Sequence, residues 1–286
     1  MNTNSIAFLG GDKRSLFAAD CFLRLGFEVY LAGFDLLESF GGLIISDMQT
    51  ALSKADVVVL PVTGIRGNTI PCYFSDKELN INEDTFKNKL VFMGRGDTLR
   101  ATCPTARVYD LLGREDFAVA NAQPTAEGAV QVAMENFEDT ILGSRCLVIG
   151  YGRIGRMLSQ MLCALNADVD VATRSAEKAA YIRADGNTPV NLSEVVTLGG
   201  YDIVFNTVPA MVIDKKLLRR SDCDTLIIDL ASVPGGVDFD EAKSLGFTAI
   251  QALSLPGKCS PAAAGRIISD TILTVLGEEY SWKKQA

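Results

Sequence analysis

Short apolar runs alternate with longer segments of helical hydrophobic spacing along this chain. Four runs of mainly apolar residues lie at positions 5–9, 57–60, 90–93 and 146–149, and such runs are typical of strands buried on both faces of a parallel sheet. The alternation of strands and helices predicts an α/β protein with two domains, each built on a largely parallel, doubly wound sheet. Further strands are predicted at positions 28–32, 117–120, 168–173, 203–206, 225–229 and 248–250.

One strand of this series leads directly into a glycine-rich turn. Gly150, Gly152 and Gly155 fit the spacing G-x-G-x-x-G between the strand at 146–149 and a predicted helix over about residues 153–166. In such a turn the first glycine permits the tight bend, the second lets the backbone approach a pyrophosphate, and the third lets helix and strand pack closely. The pattern therefore predicts a dinucleotide site, with glycines that serve only a tight turn as the alternative.

The end of the next strand indicates which dinucleotide is bound. An acidic residue there would bind the ribose 2′-hydroxyl of NAD, but the chain has Thr173, Arg174 and Ser175. Arginine can make two hydrogen bonds to a phosphate, and the two hydroxyl groups add further donors. We therefore expect NADP, and the alternative is that Arg174 is a solvated residue at a helix start.

Loops after the later strands of the second domain are expected to surround the ribose and nicotinamide, because doubly wound sheets bind ligands outside the carboxyl ends of their strands. The prolines and glycines of these loops also fit a structural role in the turns. The predicted cofactor-binding residues are Gly150, Gly152, Arg153, Ile154, Gly155, Thr173, Arg174, Ser175, Asn206, Thr207, Val208, Pro209, Ala231, Ser232, Leu255 and Pro256.

The length of 286 residues leaves room for two domains of ordinary size. Residues 1–123 are predicted to form an N-terminal α/β domain that binds substrate or a partner, and 124–142 an inter-domain helix, since Pro124 fits a helix start. Residues 143–260 are predicted to form the NADP-binding domain. Residues 261–286 are predicted to form a C-terminal helix that packs back on the first domain.

Composition narrows the classes of function. Hydrophobic residues make up 48% of the chain and charged residues 22%, and no apolar run approaches the ~20 residues of a membrane helix. No secretory signal is visible, so we expect a cytoplasmic protein. A net charge of −8 with scattered basic residues argues against a nucleic-acid surface. Seven cysteines without a C-x-x-C pair favour buried thiols, and no metal site is expected.

The absence of histidine restricts the chemistry further. The chain has none, and histidine is the commonest general acid or base near neutral pH. A hydride-transfer mechanism that relies on a histidine–carboxylate pair is therefore excluded.

A second strand-to-helix turn lies at the N-terminus. Gly10 and Gly11 follow the first strand, but the turn lacks the third glycine of a dinucleotide fingerprint, so a complete second cofactor site is not expected. Asp12 and Arg14 either face an inter-domain cleft or only complete the turn. Glu127 is either a favourable charge near a helix start or a cleft carboxylate.

The motifs in their order resemble the family of dipicolinate synthase A subunits from spore-forming bacteria. The wider similarity is to the D-2-hydroxy-acid dehydrogenase, alanine dehydrogenase and adenosylhomocysteinase group, which pairs an NAD(P)-binding Rossmann domain with a second α/β domain. The resemblance is carried by residues 10–14, 124–128, 150–155, 206–209, 229–232, 234–236 and 255–257 together with Asp238, Ala264 and Gly265.

This resemblance implies oxidation of the cyclic product of the dihydrodipicolinate-forming step of lysine synthesis to pyridine-2,6-dicarboxylate. It implies that NADP⁺ accepts the hydride, and that the protein acts in the mother-cell cytoplasm during sporulation. It also implies a partner, the flavoprotein-like B subunit of dipicolinate synthase, in a homo- or hetero-oligomer. Arg14 is expected to bind a carboxylate of the dicarboxylate substrate, and Asp12, Glu127 and Ser232 to handle protons or water loss.

Two alternatives stay open from the residues alone. The same fold suits an NADP-dependent reductase of another small keto or imino acid, because function is determined by the site and not by the fold. The absence of a recognisable acid–base pair also suits a regulatory subunit that binds NADP without catalysis.

Overall fold

The computed structural model describes residues 4–38 and 41–280. The chain divides into two compact units. Unit 1 comprises Met1–Asn121 and Ser260–Ala286, and unit 2 comprises Ala122–Cys259. Each unit contains one six-stranded sheet, and the strand pairs within both sheets are parallel. The predicted α/β class with two parallel sheets is confirmed.

The secondary structure of the described residues is as follows. The strands are β1 (Ser5–Leu9), β2 (Glu28–Ala32), β3 (Ile44–Ile45), β4 (Val57–Val59), β5 (Thr69–Ile70), β6 (Leu79–Asn80), β7 (Leu90–Met93), β8 (Arg107–Asp110), β9 (Arg145–Ile149), β10 (Asp168–Thr173), β11 (Thr188–Asn191), β12 (Ile203–Asn206), β13 (Leu226–Asp229) and β14 (Ala249–Gln251). The α-helices are α1 (Lys13–Arg24), α2 (Met48–Lys54), α3 (Asp97–Thr102), α4 (Glu115–Asn136), α5 (Arg153–Ala164), α6 (Ala176–Ala184), α7 (Lys215–Leu218), α8 (Phe239–Ser244), α9 (Leu255–Cys259) and α10 (Pro261–Tyr280).

The two sheets have equivalent strand orders. The order is β3-β2-β1-β4-β7-β8 in unit 1 and β11-β10-β9-β12-β13-β14 in unit 2. In each sheet the order reverses beside the first strand, between β1 and β4 and between β9 and β12. Doubly wound sheets bind ligands at this reversal, outside the carboxyl ends of the strands. Each unit therefore has one expected ligand position.

Both sheets are covered on their two faces, which explains the continuous apolar runs. In β1, Ile6 and Phe8 pack into one buried cluster, whereas Ala7 and Leu9 pack into another. The neighbouring residues of β9 are likewise divided between two clusters of unit 2. Alternate side chains of one strand therefore fill opposite layers of the core.

Helix α10 packs against α1 within unit 1. A Cβ atom at Gly265 would lie 2.8 Å from the carbonyl oxygen of Arg14 and 2.8 Å from the backbone nitrogen of Ala18. The glycine thus permits a close approach of the two helices. Ile268 and Ile272 extend the contact into the unit 1 core. Residues 281–286 of the predicted C-terminal segment lie outside the described residues.

The prediction for residues 117–120 was wrong, because they belong to helix α4 and not to a strand. The helix begins at Glu115, so Pro124 lies inside it and not at its start, and it ends at Asn136. Proline has no N–H group, so the helix lacks one backbone hydrogen bond at that point. A run of four apolar residues is too short to separate a helical period from a strand. The boundary between the two units falls within α4.

Candidate functional site

The turn between β9 and α5 lies at the reversal of strand order in unit 2. Gly150 has a φ of +99°, and a Cβ atom there would lie 2.5 Å from Oγ1 of Thr207. A Cβ atom at Gly155 would collide with the carbonyl oxygen of Gly150. At Gly152, by contrast, a Cβ atom would have no described atom within 4 Å. Two glycines are thus required by the turn and by helix–strand contact, whereas the middle one leaves space beside the backbone.

Helix α5 begins beside this space, at Arg153 and Ile154. Gly152 is the N-cap residue and brings no side chain to cap the helix. Backbone N–H groups at the start of a helix lack partners within the helix, and such a start favours an external anion. Three glycines in these roles and a 12-residue helix without a side-chain cap fit the pyrophosphate of a nicotinamide dinucleotide.

The residues predicted to select NADP lie together at the end of β10. Thr173 is largely buried and its Oγ1 accepts a hydrogen bond from the Ser175 backbone N–H at 3.2 Å. Oγ of Ser175 caps α6 by accepting from the backbone N–H of Lys178 at 3.2 Å. Both hydroxyl groups therefore support the start of α6, and Arg174 extends into solvent. Lys178 is also exposed and lies one turn further along the helix.

Asn206 and Asp229 form a buried pair where β12 and β13 end. They are neighbours in the register of the two strands, and both are fully buried. Nδ2 of Asn206 donates to Oδ1 of Asp229 at 2.8 Å and to the Val208 carbonyl at 3.0 Å, and its Oδ1 accepts from the Val208 N–H at 3.0 Å. The Asp229 carboxylate also accepts from the backbone N–H groups of Ala231 at 3.1 Å and Gly236 at 2.9 Å. The Asn206 amide is thus engaged inside the loops.

The loops that leave these strands present a different set of groups. Oγ1 of Thr207 donates to the Ile149 carbonyl at 2.9 Å, which ties the loop after β12 to the glycine turn. Pro209 and Ser232 are exposed, whereas Val208 is half-buried and Ala231 is buried. Exposed apolar side chains accompany them, since Met211 is 57% and Val233 77% exposed.

Leu255 and Pro256 lie in the core of unit 2. Both are buried, and Leu255 belongs to the same apolar cluster as Val148 of β9. A Cβ atom at Gly128 would lie 2.9 Å from Cβ of Leu255, so α4 and α9 approach closely there. The predicted cofactor contact of these two residues stays a prediction, and the structure gives their side chains a packing role.

Tyr151, which the glycine pattern does not single out, anchors the turn. Its side chain is buried and its hydroxyl group donates to the Asp185 carboxylate, just beyond the end of α6. Nε of Arg156 binds the same carboxylate at 2.8 Å. Burial and the hydrogen bond to Asp185 raise the pKa of Tyr151 to about 12. The Tyr151 hydroxyl and Arg156 hold the pKa of the Asp185 carboxyl below its usual range.

In unit 1 the Arg14 guanidinium binds its own helix cap. Nε and Nη2 of Arg14 bind the two carboxylate oxygens of Asp12 at 2.7–3.1 Å, and Asp12 Oδ1 accepts from the Arg14 backbone N–H at 2.9 Å. The arginine is 8% exposed. These residues line a cavity of about 10 Å³ together with Ser15 and Pro61, a volume that suits one water molecule. The Arg14 guanidinium group is thus already bound by the Asp12 carboxylate.

The chain itself fills the space above the first glycine turn. Gly11 donates its N–H to the Pro71 carbonyl at 2.7 Å and accepts from the Tyr73 N–H at 3.3 Å. A Cβ atom at Gly10 would lie 2.6 Å from the Pro71 carbonyl oxygen and 3.1 Å from Sγ of Cys72. Because the segment 71–73 packs on these glycines, there is no room for a pyrophosphate at this turn.

The four predicted catalytic residues are divided between the units. Asp12 and Arg14 belong to unit 1, and Glu127 and Ser232 to unit 2. Glu127 is exposed on α4 and accepts a hydrogen bond from Nε2 of Gln123 at 3.2 Å. Their catalytic roles stay predictions.

Two further features concern metals and membranes. Within the ranges 4–38 and 41–280, no group of three or more cysteine and carboxylate side chains is arranged to hold a metal ion. None of the helices in those ranges has both the length and the hydrophobicity required to cross a bilayer.

Comparisons with known proteins find a family match in each of the two units. Residues 5–108 match the family model for the N-terminal domain of dipicolinate synthase A subunits, and residues 131–253 match the model of shikimate/quinate 5-dehydrogenases. The A subunit of dipicolinate synthase from Bacillus subtilis (strain 168) is 32% identical over 284 residues, which cover 96% of each chain.

Two solved structures extend the similarity to three dimensions. The A chain of dipicolinate synthase from Bacillus subtilis is 31% identical, with a TM-score of 0.89 and 98% of each chain covered. The A subunit of the Bacillus halodurans enzyme is 29% identical, with a TM-score of 0.88 and coverage of 96% of this chain and 98% of that one.

Proposed function

The chain belongs to the family of dipicolinate synthase A subunits, and on this basis we propose that it catalyses the NADP-dependent oxidation that yields pyridine-2,6-dicarboxylate. The proposed substrate is the cyclic product of the dihydrodipicolinate-forming step of lysine synthesis. Membership confirms the resemblance carried by the order of the sequence motifs. The dehydrogenase-type domain in unit 2 indicates an oxidoreductase that uses a nicotinamide dinucleotide.

The observation that carries the proposal is the geometry of the turn after β9. It combines an open backbone at Gly152, a start of α5 without a side-chain cap, and close packing at Gly150 and Gly155. These are the features with which a doubly wound sheet binds the pyrophosphate of a dinucleotide. A bound nicotinamide dinucleotide supplies the hydride acceptor.

Support for NADP over NAD comes from the end of β10. The strand is followed by Arg174 and Ser175 instead of an acidic residue, so a carboxylate that would repel a 2′-phosphate is absent from those two positions. Arg174 is exposed and able to form a bidentate pair with a phosphate. Lys178 lies near enough in sequence to add a second positive charge on the first turn of α6.

The proposed chemistry is consistent with a chain that has no histidine. Conversion of the proposed substrate to pyridine-2,6-dicarboxylate removes one water, one hydride and one proton from the ring. The product ring is aromatic, so aromaticity supplies much of the driving force and the protein chiefly orients the reactants. Ser232 and Glu127 are exposed: the Glu127 carboxylate is able to accept a proton, and the Ser232 hydroxyl is able to relay one to water.

Recognition of the two substrate carboxylates requires cationic groups or free amides. Arg14 is our candidate because its planar fork suits a carboxylate. Its present partner is the Asp12 carboxylate, and the adjoining cavity of about 10 Å³ is too small for a dicarboxylate. Binding of substrate by Arg14 would therefore require an exchange of Asp12 for the ligand.

We further propose that the chain works with a second protein. The names of its relatives designate an A subunit or A chain, which implies a partner, and the proposed one is the flavoprotein-like B subunit of dipicolinate synthase. The proposed place of action is the mother-cell cytoplasm during sporulation. The oligomer that the two chains form would be found from the mass of the co-purified complex.

The function is tested by mixing the purified chain with NADP⁺ and freshly generated pathway product, with and without the B subunit. NADPH and dipicolinate from the chain alone are expected if it is the catalytic dehydrogenase subunit. Formation of both only in the presence of the B subunit would indicate a shared site. Tight NADP⁺ binding without turnover in either mixture would support a regulatory subunit, and turnover of other keto or imino acids would support a different reductase.

A further inference from the structure

A buried carboxylate at the end of β13 is hydrogen-bonded to loop groups. Asp229 is fully buried, and an ionisable group in such a place is costly unless its oxygens are well hydrogen-bonded. Its donors are the side-chain amide of Asn206 and the backbone N–H groups of Ala231 and Gly236. These hydrogen bonds are not part of the backbone pairing of β13. They stabilise the conformation of the loops instead.

The same pair connects two loops that follow neighbouring strands. Asn206 bonds both the N–H and the carbonyl of Val208 through its side chain, and its backbone carbonyl accepts from the Leu230 N–H at 2.8 Å. Asp229 bonds the loop after β13 at its near and far ends, at positions 231 and 236. One buried hydrogen-bonded pair therefore holds residues 207–208 and 230–236 together.

The backbone packs on this pair so closely that glycines are needed around it. A Cβ atom at Gly236 would collide with Nδ2 of Asn206 and would lie 2.7 Å from the Val208 carbonyl. At Gly235, where φ is +83°, a Cβ atom would lie 2.9 Å from Oδ2 of Asp229. The backbone at Gly235 therefore packs on Asp229, and the backbone at Gly236 packs on Asn206.

The groups that these loops expose lie on the half of the sheet that would receive the nicotinamide. A doubly wound sheet of this order binds the two mononucleotide halves of its ligand on opposite sides of the strand reversal. The Thr173–Ser175 end of β10 lies on the adenosine side, whereas Ser232 and Val233 lie on the other side with the loops after β12 and β13. The Asn206–Asp229 pair is therefore on the nicotinamide side.

We infer that Asp229 is a positioning residue that, through Asn206, holds the loops after β12 and β13 in the conformation required to bind the nicotinamide half of the cofactor. The inference rests on the proposed dinucleotide site. Asp229 itself is buried and bonded to the loops, so it acts through their position and not by direct contact. Binding of the adenosine half does not depend on it.

The test compares two ligands in the variant Asp229→Asn. An amide cannot accept at both of its terminal atoms, so the variant loses at least one loop hydrogen bond. The expected result is an affinity for NADP⁺ lowered about tenfold or more by calorimetry. The affinity for 2′-phospho-ADP-ribose, which lacks nicotinamide, is expected to change by less than about twofold.

A matched control separates positioning from general destabilisation. Asp202, just before β12, accepts from the Arg145 N–H at 2.7 Å, so Asp202→Ala removes a carboxylate hydrogen bond at the opposite end of the unit 2 strands. Its affinity ratio for the two ligands is expected to equal that of the wild type. Equal losses for both ligands in Asp229→Asn, or wild-type affinity for NADP⁺, would overturn the inference.

Hydrogen–deuterium exchange without any ligand provides a readout independent of the proposed function. Faster exchange at residues 230–236 is expected in Asp229→Asn and not in Asp202→Ala, and unchanged exchange in Asp229→Asn would contradict the loop-holding role. If Asp229→Asn does not fold, Asn206→Ala is tested in its place. The same selective loss of NADP⁺ affinity and the same faster exchange at residues 230–236 are then expected. A wild-type chain that binds neither NADP⁺ nor NAD⁺ would refute the proposed cofactor site, and with it the positioning role toward nicotinamide.

Discussion

The hydroxyl group of Tyr151 donates a hydrogen bond to the carboxylate of Asp185 and so links the glycine-rich turn to the end of α6. Arg156 binds the same carboxylate. Residue 151 occupies a variable position of the glycine pattern, yet its side chain is buried and anchored 34 residues away. The turn that would receive the pyrophosphate is therefore held from the α6 side as well as by its own glycines.

Replacement of Tyr151 by phenylalanine removes this hydrogen bond and keeps the ring. Tyr151→Phe is expected to lower the free energy of unfolding by about 1 kcal/mol near neutral pH. Because the folded-state pKa of Tyr151 is raised from 10.0 to about 12, the stabilisation is fully present below about pH 10 and is lost as the pH rises through about 12. The pKa of Asp185 is lowered, so its contribution is lost as the pH falls through the folded-state value. Urea unfolding of the wild type and of Tyr151→Phe from neutral to alkaline pH measures the difference in their unfolding free energies. A difference that increased above about pH 10 would contradict a stabilising Tyr151–Asp185 hydrogen bond.

Replacement by alanine is expected to affect mainly dinucleotide binding at Gly152 and mainly the free energy of unfolding at Gly155. Gly152 has a φ of −93° and open space around a Cβ position, so Gly152→Ala should cost no more than about 1 kcal/mol of unfolding free energy, the preference of a helix N-cap for glycine over alanine. The methyl group would enter the space for the pyrophosphate and should weaken dinucleotide binding about tenfold or more.

Gly155→Ala is the matched variant for folding. Its methyl group would collide with the Gly150 carbonyl, and overpacking of this kind costs about 1–3 kcal/mol. Thermal unfolding and calorimetry on both variants measure the two effects. If Gly152→Ala bound NADP⁺ with wild-type affinity, the turn would be excluded as the pyrophosphate-binding site.

Arg174 is expected to determine the choice between the two dinucleotides. Arg174→Gln should weaken NADP⁺ binding about 10- to 100-fold, as for the loss of charge-assisted hydrogen bonds, and should leave NAD⁺ binding nearly unchanged. Arg183→Gln is the control, because Arg183 is an exposed arginine in the last turn of α6, whereas Arg174 precedes the N-cap residue of that helix. Parallel loss of both ligands in Arg174→Gln, or no loss of either, would exclude a 2′-phosphate contact.

Arg14 is expected to affect both folding and catalysis. Arg14→Ala removes the ion pair with Asp12 and should cost about 1–2 kcal/mol of unfolding free energy, since the carboxylate is partly solvated. If Arg14 also binds substrate, the variant should raise KM or lower turnover by more than about tenfold. Asp12→Asn keeps a helix cap and weakens the ion pair, so it separates the two effects. Near-wild-type kinetics in Arg14→Ala would remove it from the substrate site.

Much of the fold can be predicted because its central strands are apolar on both faces. The sequence predicts β7 with its observed bounds, and β10 likewise. Strand β8 escapes prediction because its residues, Arg107–Asp110, are exposed or half-buried at the sheet edge and carry no apolar run. The run at 117–120 imitates a strand because four apolar residues do not show a helical period.

In the candidate site, features that depend on neighbouring residues can be predicted from the sequence, whereas contacts between distant segments cannot. The glycine spacing can be recognised because each glycine serves a neighbouring strand or helix. The roles of Asn206 and Asp229 depend on strands 23 residues apart that pair in the sheet, and no pattern within either segment shows that pairing. The one available signal is a carboxylate at the end of an otherwise apolar strand.

Direct hydride transfer is the central claim, and isotope labelling tests it most directly. The pathway product would be generated with deuterium at the ring carbon that loses hydride, and the purified chain would be given NADP⁺ together with the B subunit. We expect deuterium in the nicotinamide ring of the NADPH formed, in equal amount to the dipicolinate. Dipicolinate formed without NADP⁺, or NADPH free of deuterium, would contradict an NADP-dependent dehydrogenase.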